Sequence, residues 1–289
     1  MLAPGLIGGS LLRALRARIP GIRLSAWARR PEAVAELRAE TGLVDLASTD
    51  VNEAVTGADC LVLAMPTVHM AATVAAMDPF PADSPVIVTD VGSVKAPVVR
   101  EVGPLVRERG GIFIGSHPMA GSEKKGLAFA EADLFEGAAV VLTPEMDGLP
   151  HLPRLERFWK TLGGILTCLS PERHDELIAG ISHLPHLVAA TLARSVLSWE
   201  PGAASLIGGG FRDTTRVAGG PEEMWADILS ENREAVLRRI DAYLKELQTW
   251  KDALDALDRE QLRDLLSEAR RLREILPPRA PSPVSESTT

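Results

Sequence analysis

The chain has 289 residues, of which 31 are basic and 39 acidic, and the resulting net charge of −8 is spread without long runs of either sign. This balance argues against nucleic acid or an anionic membrane as the main partner, and the length favours two domains over one. The two cysteines indicate free thiols in a reducing compartment, and because neither a signal peptide nor an apolar stretch near the ~20 residues of a membrane span is evident, the sequence predicts a soluble cytoplasmic protein.

The first 150 residues alternate short apolar runs with amphipathic stretches. The runs that predict β-strands are residues 22–27, 60–65, 86–90, 112–115 and 139–143. The stretches that predict helices include residues 10–19, 31–41 and 96–109. Alternation of this kind predicts a doubly wound parallel sheet, and strands that are apolar throughout fit a sheet covered on both faces.

A glycine-rich segment, APGLIGGS at residues 3–10, opens the first predicted helix. It matches the pattern G-x-G-x-x-G, with Ala3 in the first glycine position. Gly5 would let the backbone approach a pyrophosphate and Gly8 would let helix and sheet pack closely, so Gly5, Leu6, Ile7 and Gly8 are predicted to bind a dinucleotide. A generic tight turn is the alternative. The strand pattern favours the cofactor loop, and residues 1–150 are therefore predicted to form an α/β Rossmann-type dinucleotide-binding domain.

The strand that should feed this loop is the central strand of such a sheet. Only Met1 and Leu2 precede the loop. Without that strand both neighbouring strands would lose their ladder partners. We therefore expect the first strand to be missing from this chain and the true reading frame to start upstream of Met1, which an in-frame apolar run before Met1 would test.

The end of the second strand of a Rossmann domain selects between NAD and NADP. NAD-specific domains usually place Asp or Glu there, ~20 residues beyond the glycines. Here Arg29 and Arg30 follow the run 22–27, and arginines offer charge-assisted contacts to a 2′-phosphate. The sequence thus predicts NADP, with NAD as the alternative cofactor and a solvated arginine pair as the ordinary explanation. Met65 and Pro66, at the end of a later predicted strand, complete the predicted cofactor-binding set.

Beyond residue 150 the pattern changes to long helices. One is predicted at residues 175–197, with a kink at Pro185, and two more at residues 221–250 and 258–275. Their long apolar stripes need a partner. Residues 151–276 are therefore predicted to form an all-α substrate and dimerisation domain, joining two copies as a homodimer. The Pro, Ser and Thr-rich tail 277–289 is predicted to be disordered.

A histidine stands directly after the apolar run 112–115. His117 begins the segment HPMAGS at residues 117–122, whose Gly and Pro restrict backbone geometry. A histidine at the end of a buried strand is well placed to exchange a proton with a small substrate. A loop histidine without a task is the common alternative, and the dinucleotide-binding pattern around it favours the functional interpretation.

Taken together, these motifs resemble the prephenate/arogenate dehydrogenase family over nearly the whole chain, to about Leu276. The segments that carry the resemblance are GLIGGS at 5–10, DVGSVK at 90–95, HPMAGS at 117–122 with Glu123, HD at 174–175, SHLPH at 182–186, GGFRDTTR at 209–216, and MW at 224–225 with Asn232. The resemblance implies oxidative decarboxylation of prephenate to 4-hydroxyphenylpyruvate, with hydride transfer to NADP or NAD, in tyrosine biosynthesis. Arogenate, which carries an amino group in place of the keto group, is the alternative substrate.

The resemblance also implies roles for single residues. His117 matches the catalytic histidine that bonds the ring hydroxyl, Ser93 the serine that orients it near the nicotinamide, and Arg216 the arginine that binds a substrate carboxylate. The remaining matches line the pocket or its mouth; they are Ser182, His183, His186 and Trp225 in the pocket wall, and Arg212 with Asp175 as an ionic gate at the mouth. A structural ion pair remains the alternative for that gate, and plain core packing the alternative for Trp225.

Three further possibilities stay open at this stage. The spacing of His183 and His186 suggests a metal site, but no third ligand is evident and the family uses none, so no metal is expected. A 3-hydroxyacid dehydrogenase would share the two-domain plan, but the chain lacks a convincing catalytic lysine context. A cofactor-free pseudoenzyme or scaffold would explain a truncated N-terminus, although the complete set His117, Ser93, His183 and Arg216 argues against it.

Overall fold

The computed structural model describes residues 1–81, 85–121, 124 and 126–276. Its contacts divide the chain into two compact units, Met1–Val236 and the part from Leu237 onward. The tail predicted to be disordered lies outside the described residues. The predicted domain limit at residue 150 coincides with no break in the sheet, which continues to Cys168.

The described residues form seven β-strands and twelve α-helices. The strands are β1 Ser25–Trp27, β2 Leu46–Ser48, β3 Cys60–Leu63, β4 Ile87–Asp90, β5 Ile112–Pro118, β6 Ala139–Pro144 and β7 Ile165–Cys168. The helices are α1 Leu6–Arg18, α2 Pro31–Ala39, α3 Val51–Val55, α4 Met70–Ala75, α5 Ala96–Glu108, α6 Leu152–Thr161, α7 Pro171–Ile178, α8 Leu184–Trp199, α9 Gly209–Thr215, α10 Glu222–Glu231, α11 Arg233–Asp255 and α12 Arg259–Arg273.

The strands pair in the order expected of a nucleotide-binding sheet. β1 pairs in parallel with β2, and the other five follow in the order β3-β4-β5-β6-β7. Every pairing is parallel except that of β5 with β6. Successive side chains of a strand point to opposite faces, and so Leu61 packs with the cluster around α4 and α5 while Val62 packs with the cluster around α1 and α6. The predicted α/β Rossmann-type fold with a helical C-terminal part is confirmed.

Leu2 occupies the place of the first strand. It forms parallel bridges with both Trp27 and Leu63 and is fully buried. Its N–H donates to the carbonyl of Val62 at 2.9 Å, and its own carbonyl accepts the N–H of Ala64 at 2.9 Å. Because buried backbone groups in a sheet must be paired, this one residue links β1 to β3. The expectation of a wholly missing first strand is corrected to that extent.

The helix predicted at residues 175–197 is longer than expected and irregular. α7 and α8 are joined by a π-helical segment, Ala179–His183, and Pro185 lies in the first turn of α8, where its missing N–H is tolerated. The segment Pro171–Trp199 is long and apolar enough to cross a membrane, with a mean hydropathy of 1.2 over 18 residues of which 28% are buried. The test rests on length and composition only, and a core helix of a soluble protein passes it as well.

Candidate active site

His117 is the last residue but one of strand β5, where it pairs with Val141 of the antiparallel strand β6, and it is only 7% exposed. Its Nδ1 lies 2.8 Å from Nε2 of His174, with the two rings edge to face. Burial, reinforced by the positive charge of Lys95, holds the pKa of His117 well below its ordinary value. The imidazole is therefore neutral at physiological pH and can accept a proton.

A buried pair on α7 lies behind this histidine. His174 is fully buried, and its Nδ1 is 2.7 Å from Oδ1 of Asp175. The same carboxylate accepts the backbone N–H of Lys95 at 2.7 Å and that of Ala96 at 2.8 Å. Asp175 thus satisfies two free N–H groups at the start of α5 and stabilises the positive end of that helix.

The ionic gate between Arg212 and Asp175 stays a prediction, within one protomer or across the dimer. In the single chain Asp175 is 5% exposed, and its two carboxylate oxygens accept the backbone N–H groups of Lys95 and Ala96. Arg212 lies exposed on α9, and within the described part of the chain no ion pair joins the two residues.

Asp90, the last residue of β4, and Lys95, the residue before α5, form a fully buried ion pair. Asp90 also accepts the backbone N–H of Gly92 at 2.8 Å and of Ser116 at 3.2 Å, so the turn that carries Ser93 is tied to β5. No hydrogen bond joins Ser93 to His117 among the described residues. His174 is the residue that contacts Nδ1 of His117, and the orienting role that the resemblance implies for Ser93 stays a prediction.

His183 closes another side of the pocket. Nδ2 of Asn232 donates to the backbone carbonyl of Asp175 at 2.8 Å and lies 3.1 Å from Nδ1 of His183. Nε2 of His183 is buried and has no hydrogen-bond partner within the described residues, and burial lowers the pKa of this ring to about 4. Because buried polar atoms are normally paired, this nitrogen is free to bind a ligand group.

An aromatic stack forms the wall next to His183. The ring of His186 stacks on Trp225 with centroids 3.6 Å apart, and His183 meets the same indole edge-on at 6.1 Å. A Cβ on Gly220 would lie 2.4 Å from Nε1 of Trp225, so only glycine fits there. The structure thus brings together His183, His186 and Trp225, and Ser182 is half-buried beside them.

The glycine loop fits a dinucleotide. A Cβ on Gly5 would meet no atom of the described residues within 4 Å, which leaves room for a phosphate, whereas a Cβ on Gly8 would lie 2.9 Å from Cβ of Ala64. The first turn of α1, which contains Leu6 and Ile7, has no acidic residue to repel a phosphate. Ala3 has a φ of 53°, a left-handed conformation suited to the glycine that the motif usually has at this position.

Four predicted binding residues are exposed at the protein surface. Arg29 and Arg30 are exposed between β1 and α2, and Pro66 is exposed after β3 next to the buried Met65. Arg216 is exposed after α9, and no described acidic residue forms an ion pair with it. These arginines are free to meet an anionic ligand.

Several residues of the site had no role assigned from the sequence. His174, Asn232, Asp90 and Lys95 stood inside the quoted motifs, but only their residue types, and not their spacing, hinted at hydrogen bonding with the pocket histidines. The described residues contain no group of three His, Cys, Asp or Glu side chains able to hold a metal ion.

A parallel nucleotide-binding sheet with a glycine loop, joined to a buried neutral histidine and free cationic side chains, defines a nicotinamide-dinucleotide-dependent dehydrogenase of small anionic substrates. Residues 11–168 match the family model for the prephenate dehydrogenase nucleotide-binding domain, and residues 170–268 match the prephenate dehydrogenase dimerization domain. The chain belongs to the prephenate dehydrogenase family, which confirms the resemblance drawn from its motifs.

Curated relatives carry related names. A cyclohexadienyl dehydrogenase of Zymomonas mobilis is 33% identical over 278 residues, which are 93% of this chain and 92% of the relative. A prephenate dehydrogenase of Bacillus subtilis is also 33% identical over 278 residues, covering 94% of this chain and 74% of the relative.

Solved structures agree in fold. Prephenate dehydrogenase from A. aeolicus, in complex with hydroxyphenyl propionate and NAD+, has a TM-score of 0.85 and 30% identity, and the match covers 94% of this chain and 96% of that one. The Synechocystis arogenate dehydrogenase has a TM-score of 0.78 and 29% identity, covering 94% and 97%.

Proposed function

We propose that this enzyme oxidises prephenate to 4-hydroxyphenylpyruvate and carbon dioxide, in tyrosine biosynthesis, with a nicotinamide dinucleotide as hydride acceptor. The observation that carries the proposal is the buried, neutral His117 held at Nδ1 by His174. Arogenate is the second candidate substrate, because an arogenate dehydrogenase is among the solved structures that this chain resembles.

The chemistry of prephenate explains which groups the pocket needs. Prephenate is a cyclohexadienol with a ring carboxylate para to its hydroxyl. The hydroxyl proton passes to His117 as the hydroxyl-bearing carbon loses a hydride and gains carbonyl character. The bond to the ring carboxylate then breaks, carbon dioxide leaves, and its electron pair completes the aromatic ring as a phenolate. His117 returns the proton to the phenolate oxygen, so that no net proton is released.

Other side chains of the site bind and orient the substrate. Arg216 supplies a permanent cation for a substrate carboxylate, and the unpaired Nε2 of His183 supplies a neutral polar contact. Trp225 and His186 give a flat apolar wall against which a six-membered ring can pack. When bound, the nicotinamide supplies the carbon that accepts the hydride. Ser93, on the turn tied to β5, completes this set as a polar group at the sheet edge.

The cofactor proposal is NADP in preference to NAD. It is supported by Arg29 and Arg30, which stand exposed where NAD-specific domains usually have a carboxylate. Replacing both arginines by alanine should raise KM for NADP about tenfold while KM for NAD stays within about twofold, since only the 2′-phosphate contacts are lost. Unchanged KM for NADP, or a clear preference of the unmodified enzyme for NAD, would contradict this choice.

We also propose a cytoplasmic homodimer formed through residues 151–276. Large apolar side chains of this region are exposed on a single protomer; they include Ile181, Trp199, Leu206, Leu244, Leu247 and Leu254. Each of the two compact units thus exposes large apolar side chains of its own, and exposed apolar patches mark interfaces. The match of residues 170–268 to a dimerization domain supports the same region. Light scattering on the purified protein should give twice the chain mass, and a monomer at micromolar concentration would contradict the proposal.

One assay tests the function directly. The purified protein is supplied with prephenate or arogenate and with either cofactor, while the reduced nicotinamide and the carbon dioxide are measured together. Prephenate should give equal amounts of both products with the higher kcat/KM. A higher kcat/KM with arogenate would make arogenate the preferred substrate. Turnover of neither compound would overturn the proposal and favour a 3-hydroxyacid dehydrogenase or a scaffold.

A further inference from the structure

Asp175 contacts both pocket histidines through intermediates. Its carboxylate acts on His117 through His174, and its backbone carbonyl acts on His183 through Asn232. We infer that these contacts hold the two histidines in opposite tautomers, so that His117 offers the substrate a bare acceptor nitrogen and His183 offers it an N–H donor. The substrate named here rests on the proposed function, whereas the assignment of protons follows from the hydrogen bonds alone.

The first chain of hydrogen bonds starts at a group that can only accept. The carboxylate of Asp175 already accepts the backbone N–H groups of Lys95 and Ala96. His174 therefore donates to it from Nδ1 at 2.7 Å. We take the His174 ring to carry this one proton, in which case Nε2 is an acceptor. The group 2.8 Å away, Nδ1 of His117, must donate, and Nε2 of His117 is left with a free lone pair.

The second chain starts at a carbonyl, which also can only accept. The side-chain atom of Asn232 that lies 2.8 Å from the carbonyl of Asp175 is the amide nitrogen, because the amide oxygen could not donate. The same nitrogen has a second hydrogen and lies 3.1 Å from Nδ1 of His183. Nδ1 of His183 therefore accepts, so the ring proton is on Nε2, the buried nitrogen without a partner.

The two tautomers complement the proposed substrate. A hydroxyl that must lose its proton needs an acceptor, which His117 offers at Nε2. A carboxylate oxygen needs a donor, which the neutral His183 offers at Nε2. His183 lies near enough to His117 for its charge to affect the pKa of that ring. His174, Asp175 and Asn232 are thus positioning residues, since they act through the two histidines that bind substrate.

Nitrogen-15 NMR of the histidine rings in the intact enzyme tests the assignment without any substrate. Two-bond proton–nitrogen correlations distinguish a proton on Nδ1 from one on Nε2, and His69 and His151 serve as reference rings outside the network. We expect the Nδ1–H tautomer for His117 and the Nε2–H tautomer for His183 at neutral pH. The same tautomer on both rings, or the reverse arrangement, overturns the inference.

Two variants of His174 separate positioning from packing. His174→Leu removes the acceptor and should lower kcat by about 10–100-fold with KM and cofactor affinity little changed. His174→Gln restores an acceptor oxygen and should recover at least about tenfold of that loss. Equal losses of kcat in the two variants, with equal thermal stability, indicate a merely structural role and contradict the inference.

Asn232→Leu gives the corresponding test at His183. It should raise KM for prephenate about tenfold, with kcat within about threefold, and His183 should show a mixture of tautomers by NMR. A lower kcat with an unchanged KM for prephenate would overturn the part of the inference that concerns His183. Opposite tautomers in an enzyme that does not turn over prephenate would refute the proposed function alone, whereas turnover with the reverse tautomers would refute the inference alone.

Discussion

The histidine pocket and the cofactor edge of this enzyme are organised in opposite ways. In the pocket, His117 and His183 are buried, and each is oriented by a hydrogen bond, His117 with His174 and His183 with Asn232. At the cofactor edge, Arg29 and Arg30 are exposed and without ion pairs among the described residues. The side chains that we propose to react are thus held in place by the protein without a ligand, whereas the two arginines that we propose to select the cofactor have no protein partner that orders them among the described residues.

The largest effect on kcat should come from replacing His117. His117→Asn removes the proton acceptor, and we expect kcat to fall about 10²–10⁴-fold, the range for loss of a general base. Affinity for NADP should change little, because the glycine loop is separate from this side chain. Steady-state kinetics and cofactor titration measure both quantities. His151→Asn, ahead of α6, is the matched control, and an equal fall in kcat there would contradict the assignment.

The buried state of His183 should make stability depend on pH. Its pKa is lowered to about 4 by burial, against about 6.5 in an unfolded chain. As the pH falls below about 6.5, His183 is therefore protonated in the unfolded state, whereas in the folded state it stays neutral down to about pH 4. The free energy of unfolding should drop across this window by roughly 3 kcal/mol more in the unmodified protein than in His183→Gln.

Urea unfolding at several pH values between 4 and 7 would measure this difference. Protonation of the carboxylates is common to both proteins and cancels in the comparison. Parallel curves for the two proteins would show that His183 is not held neutral by burial.

Arg216 shares a property with each region. It is exposed like the arginines of the cofactor edge, and we propose that it binds the substrate as the pocket residues do. Arg216→Ala should mainly raise KM for prephenate, by about tenfold, because it removes binding that is equal in the ground state and the transition state. Arg157→Ala, on the exposed side of α6, is the matched control. A fall in kcat with unchanged KM would instead place Arg216 in the chemical step.

The smallest effect concerns Ala3 in the glycine loop. Its φ of 53° is strained for alanine and free for glycine, so Ala3→Gly should raise the free energy of unfolding by about 1 kcal/mol. Ala35→Gly, in the exposed interior of α2, should lower it by about 1 kcal/mol. Thermal or urea unfolding of both variants decides the sign. A destabilising Ala3→Gly would mean that the loop prefers another conformation.

The fold was predictable where local pattern decides it. Apolar runs of four residues or more predicted β3 to β6. In contrast, β2 is only three residues long, and Leu2 completes the sheet through hydrogen bonds that no local pattern records. Short elements depend on their neighbours for stability, and sequence periodicity cannot supply that information.

The site was predictable only in part. His117 was visible because its loop has the backbone chemistry of a functional turn, but His174 lies 57 residues further along and meets it only through the packing of α7. Asp175 was assigned to the pocket mouth by the family resemblance alone, and charged residues are rarely as buried as this one. It is buried because the start of α5 needs acceptors for its N–H groups, a requirement of tertiary packing.

The contact between Asp175 and the start of α5 has a mechanical consequence. The two backbone hydrogen bonds join the sheet part of the larger unit to α7, and breaking them would strand a buried carboxylate and two amides. A movement that separated α7 from the start of α5 would leave these buried groups unpaired, so we expect the two helices to move together as one body.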